Sequence, residues 1–136
     1  MKRSILMLEH DDDDRYITQA VFDENHYAVK LHFVNSSDDL FAFLLSCDRR
    51  SLPALILLNH YAAPLNAVDI LKTLKENAAY SHIPTVVLSG TTNDEIILNT
   101  YAAGASSFIT KPSSSRETSE KISAFVRYWF STVELP

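Results

Sequence analysis

Four stretches of this chain end apolar runs in groups that can do chemistry: Glu9-His10-Asp11, Asn59-His60, Ser89-Gly90 and Lys111-Pro112. Carboxylates attract ammonium groups and divalent cations, and a hydroxyl and an ammonium near an acid are arranged as if to serve a carboxylate. One member of the set is out of character. The run Ala54–Leu58 ends on Asn59, a neutral and non-nucleophilic carboxamide, where a carboxylate would serve its neighbours.

The elements that position these groups alternate along the chain. Ile5–Leu8, Ala54–Leu58, Thr85–Leu88 and the shorter Ser107–Ile109 are apolar runs, as expected of parallel strands covered on both faces. Val29, Leu31 and Phe33 alternate with Lys30 and His32, the mark of a strand nearer an edge. Helical spacing links Ala67, Ile70, Leu71, Leu74 and Ala78. It also links Leu98, Tyr101, Ala102 and Ala105, and then Ile122, Phe125, Val126, Trp129 and Phe130. Thr92-x-x-Glu95 and Ser114-x-x-Glu117 read as capping boxes. Asp11-x-x-Asp14 is a similar start for a helix that turns Ile17, Ala20 and Val21 inward. The pattern predicts an α/β fold, five βα units in a doubly wound parallel sheet, as one domain over 1–136. Ligands of such sheets bind outside the carboxyl ends of the strands, where strand order reverses. The acid, amide, hydroxyl and ammonium therefore converge.

Composition narrows the function classes. At 136 residues and 46% hydrophobic, the chain has enough apolar mass for a core. Twelve Lys and Arg against seventeen Asp and Glu give −5, which argues against a nucleic-acid surface. Arg49-Arg50 reads as a solvated loop pair. Cys47 is the only cysteine, so no intrachain disulfide forms, and it reads as a small buried thiol. No segment has the apolar length of a membrane span or signal core, so no membrane association and a cytoplasmic location are expected.

The stretches ILMLEH, LILLN, HIPTVVLSG and AAGASSFITKP, in that order and spacing, resemble the receiver domains of bacterial two-component response regulators. The ending YWFSTVELP resembles a single-domain subclass paired with phytochrome-type histidine kinases. The resemblance implies a flavodoxin-like (βα)5 sheet in strand order 2-1-3-4-5. It also implies phosphoryl transfer to an Asp ending the third strand, Mg²⁺ held by two acids after the first, a hydroxyl after the fourth and a Lys after the fifth. In those terms Glu9, Ser89 and Lys111 match. Asn59 stands at the phosphoacceptor, His10 at the second acid, and Tyr61 two beyond the acceptor, while Asn66-Ala67 replace a common Asp-Gly pair.

A standard pocket of three carboxylates and one Lys carries −2. Here Glu9 and Lys111 cancel to zero, or leave −1 if Asp11 joins. Weak or absent Mg²⁺ binding is expected, with Glu9 its one firm ligand and no cofactor. Lys111 is expected to bond the Asn59 carbonyl oxygen or Glu9. The resemblance further implies a cis peptide bond at Lys111-Pro112. It makes Phe108 a switch aromatic, packed in the strand if phosphorylation is lost, and places Tyr101 and Tyr128 on a partner surface.

The leading expectation is a degenerate receiver. It is not an enzyme and signals through protein–protein contacts with a histidine kinase, another regulator or a second copy of itself. Two alternatives stand beside it. One is a phosphoryl acceptor using Asp11 or a histidine. The other is a ligand or metal binder on the same fold, with His10 and His60 joining Glu9 or Asp11 around a Zn²⁺-like ion. Solvated histidines are the preferred reading of His10, His26, His32, His60 and His82. Having only Gly90 and Gly104, the chain has no glycine-rich phosphate loop.

Overall fold

The computed structural model describes residues 3–25, 28–91 and 93–136. His26 and the Thr92 of the first capping box lie outside them. The strands are β1 (Arg3–Leu8), β2 (Val29–Val34), β3 (Leu55–Asn59), β4 (Thr85–Ser89) and β5 (Ser107–Thr110). The helices are α1 (Asp12–Asn25), α2 (Ser37–Ser46), α3 (Ala67–Glu76), α4 (Asp94–Ala102) and α5 (Ser115–Arg127), which runs into a π turn, Tyr128–Thr132. All strand pairs are parallel, in the order β2-β1-β3-β4-β5.

The period of two in a strand divides the core into two layers. Leu6, Leu8, Ile56, Leu58 and Val87 meet Leu40 and Leu44 of α2 and Ile70, Leu71 and Leu74 of α3. On the other face Ile5, Met7, Leu55, Leu57, Val86 and Leu88 meet Val21 and Phe22 of α1 and Ile122, Phe125 and Val126 of α5. Each fully buried Leu or Ile contributes roughly 1.5–3 kcal/mol over its exposed state. That is why β1, β3 and β4 are apolar without alternation, whereas the edge strands β2 and β5 are mostly half-buried.

Side-chain caps fix the helix starts. Asp11 Oδ1 accepts from Asp14 N at 2.9 Å, and Ser114 Oγ from Glu117 N at 3.2 Å. The cap of α4 is Asn93, whose Oδ1 accepts from Ile96 N at 2.8 Å. Two expected stripes need correction. Ala78 lies beyond the end of α3 and is exposed. In α4, Leu98 is 68% and Tyr101 46% exposed, while the buried residue is Thr100, flanked by half-buried Ile96, Ile97 and Ala103. The apolar phase chosen from sequence faces out. Among the described residues, no helix is long and apolar enough to cross a membrane.

Candidate functional site

Strand order reverses between β1 and β3. Their register pairs Leu8 with Leu58, so the next residues, Glu9 and Asn59, emerge side by side at the carboxyl ends. Asn59 Nδ2 lies 3.1 Å from each Glu9 carboxylate oxygen. Asn59 Oδ1 accepts from Tyr61 N at 3.1 Å. Donors of the amide thus face the acid and its acceptor faces a backbone N–H, an arrangement that an aspartate cannot copy. Glu9 itself is fully buried.

Lys111 is fixed first by its backbone, with its N–H donating to Ser89 O at 2.7 Å where β5 passes β4. Its ammonium then reaches Glu9 Oε2 at 2.6 Å and Asp14 Oδ2 at 2.8 Å. Asp11 N donates to Glu9 Oε1 at 3.2 Å. The Glu9 carboxylate therefore has partners on both oxygens before any ligand arrives. Behind it, Arg15 donates to the Glu9 carbonyl and to Asn35 Oδ1, with its guanidinium 5.1 Å from the Phe33 ring centre. Two carboxylates against one ammonium leave −1 in the pocket.

Other expected residues are placed differently. The Asp11 side chain caps α1 and is exposed, and Asp14, three residues on, is the second acid. His10 is exposed. His60 is half-buried, edge-on to Tyr61 at 4.7 Å between ring centres, and its Nδ1 is buried without a hydrogen-bond partner. Burial lowers the His60 pKa and keeps the ring neutral. His32, read as an ordinary surface histidine, is half-buried on β2 against Phe43, and burial followed by the Lys30 charge lowers its pKa. Among the described residues, no three His, Cys, Asp or Glu side chains group to hold a metal ion.

The hydroxyl of Ser89, fully buried, donates to Thr91 O and accepts from Thr91 N, within its own turn. Tyr61 Oη meets Thr91 Oγ1 at 2.6 Å, tying the β3–α3 loop to the β4–α4 loop. Lys111-Pro112 is trans, contrary to expectation, and the cis bond among the described residues is Ala63-Pro64. Lys111 enters the pocket without it, because pairing with Ser89 sets its backbone and four methylenes span the rest. At the β5 edge, Tyr101 Oη accepts from Phe108 N at 3.2 Å, and half-buried Phe108 packs against the α2–α3 core layer. Phe108 and Tyr128 line one open groove of about 610 Å³ along β5 and α5.

The Lys111 pKa gives a testable consequence. Burial pulls it down, but the hydrogen bonds and charges of Asp14 and Glu9 outweigh burial and hold it above the ordinary value. A cation raised on folding stabilises fully below its unfolded value, about 10.4, and that contribution is lost as pH rises through the folded value. Urea denaturation in a pH series should show stability falling above that point, with a shallower fall in Lys111→Met.

The five-stranded parallel sheet in this order, with an acid after β1 and a lysine after β5 meeting at its switch point, matches the flavodoxin-like receiver fold. The chain is 24% identical to response regulator Rcp1 of Synechocystis over 135 residues, 97% of this chain and 92% of that protein. Its fold matches the phosphorylated cyanobacterial phytochrome response regulator RcpA with a TM-score of 0.92 at 23% identity, covering 100% and 99% of the two chains. It matches the Mn²⁺-bound form of Rcp1 with a TM-score of 0.90 at 24% identity, covering 98% and 99%. No protein-family model matches the chain.

Asp14 and Arg15 are the site residues that sequence reasoning missed. The available signal was helical phase, since α1 begins at Asp12 and turns its third residue back over the end of β1.

Proposed function

We propose that this chain is a receiver domain that signals in the cytoplasm without being phosphorylated, as a non-enzymatic module whose output is a protein–protein contact. One observation carries the reading: the Asn59 carboxamide donates to both oxygens of Glu9, whose carboxylate is also paired to Lys111. An acyl phosphate forms when an anionic carboxylate oxygen attacks phosphorus. The amide offers no such oxygen, and its neutral carbonyl is already bonded to Tyr61 N.

The pocket's donors also fit Mg²⁺ poorly. That ion demands near-octahedral oxygen ligands and keeps several waters. Glu9 has both oxygens engaged, Asp14 is bonded to Lys111, and the second acid position holds exposed His10. In effect the Lys111 ammonium takes the place of the cation. Engagement of the Asp11 carboxylate in the cap of α1 supports this reading over one in which Asp11 accepts the phosphoryl group.

Partners would meet the β5 edge, where exposed Tyr101 and Tyr128 flank Phe108. The relatives are named as response regulators, which supports a histidine kinase, another regulator or a second copy as the partner. Calorimetric titration with Mg²⁺, with and without beryllofluoride, tests the pocket. Heats indistinguishable from dilution are expected in both cases. Saturable micromolar binding would overturn the reading.

A further inference from the structure

The end of the sheet opposite the Glu9 pocket holds a second concentration of charge. Arg3 opens β1, Arg49 and Arg50 sit in the α2–β3 loop, and His82 precedes β4. These four residues line one cleft of about 500 Å³ whose apolar lining includes Leu52 and Pro53. The sequence alone offered only an arginine pair; the fold brings a third guanidinium and an imidazole to it. Pro136 completes the lining, and among the described residues no Asp or Glu side chain joins it, Glu134 lying in the adjoining pocket that Arg3 also borders. None of the three guanidiniums makes an ion pair among the described residues, although the chain as a whole carries −5.

The loop is braced. Ala54 N donates to Ser4 O at 2.8 Å, joining it to β1. Pro53 is buried. Asp48, the nearby acid, accepts from Arg50 N and Ser51 N, both at 2.9 Å, and so shapes the turn.

We propose that this cleft binds a compact polyphosphate anion of the di- or triphosphate class. Guanidinium forks match phosphate oxygens in pairs, and a concave wall of low dielectric focuses their field. The volume suits a small ligand. Among the described lining residues the single aromatic ring is the His82 imidazole, against three guanidiniums, so phosphates rather than a nucleobase carry recognition. A nucleic-acid strand needs a continuous basic track, and the acidic remainder of the surface denies it.

The test is an amide NMR titration of the whole chain with inorganic pyrophosphate and, separately, with a nucleoside triphosphate, at constant ionic strength. Saturable shifts are expected with both ligands around residues 3–4, 49–54 and 82. An Arg49→Gln/Arg50→Gln variant, whose fold is checked by an unchanged thermal melt, should bind about tenfold or more weakly. An Arg116→Gln variant, altered at an exposed helical site, should bind as the parent does. Shifts that never saturate, shifts centred on Lys111, or a double variant binding as tightly as the parent would overturn the proposal.

Discussion

Replacing Asn59 with Asp is expected to lower stability at pH 7 by about 2–4 kcal/mol in the absence of divalent cations. The variant loses both hydrogen bonds from Asn59 Nδ2 to Glu9 and sets a second carboxylate about 3.1 Å from a fully buried one. It also turns an acceptor into the place of a donor, so the Glu9 oxygens lose satisfaction as well as gaining repulsion. Like charges raise the folded-state pKa of such a pair above the unfolded value of about 4, so the penalty grows as pH rises past that value and shrinks in acid. A divalent cation should now have two carboxylates to bridge. At about a hundred times its Kd it would return about 2.7 kcal/mol. Urea unfolding of parent and variant, with and without Mg²⁺, reads all three effects. A variant as stable as the parent and indifferent to Mg²⁺ would mean that the amide's hydrogen bonds matter little.

Lys111→Met should cost about 3–5 kcal/mol, because it leaves a buried carboxylate without its cation. Glu9 is fully buried, whereas Asp14 is 29% exposed and can recover hydration, so the loss falls mainly on Glu9. The double variant Glu9→Gln/Lys111→Met should regain most of the loss, since no charge is then stranded and glutamine can still accept from Asn59 Nδ2. The double-mutant cycle separates this account from simple loss of packing. Additive costs would contradict it.

Much of this arrangement was legible in the residues. Apolar runs set the strands, and the residues ending them, Glu9, Asn59, Ser89 and Lys111, reach one end of the sheet because parallel strands share a direction. Details that depend on rotation about a helix axis were not legible. In α4, Leu98-Tyr101-Ala102 and Ile96-Ile97-Thr100 have equally helical spacings, and Tyr101 can face out because its hydroxyl finds Phe108 N on the edge strand. Four consecutive acids, Asp11 to Asp14, give no sign of which one turns back to Lys111; helical phase selects Asp14 and leaves Asp11 to the cap. Ser89 could be placed at the pocket, but its hydroxyl's choice of Thr91 depends on a local turn. The proline isomer is set by tertiary context, because the intrinsic preference at an X-Pro bond is small.

The most direct measurement is the intact mass of the protein after incubation with Mg²⁺ and a small phosphodonor such as phosphoramidate or acetyl phosphate. An unchanged mass is predicted, with Asn59→Asp as the comparison able to gain a phosphoryl group. A hydroxylamine-sensitive phosphoryl adduct on the parent chain would contradict the account.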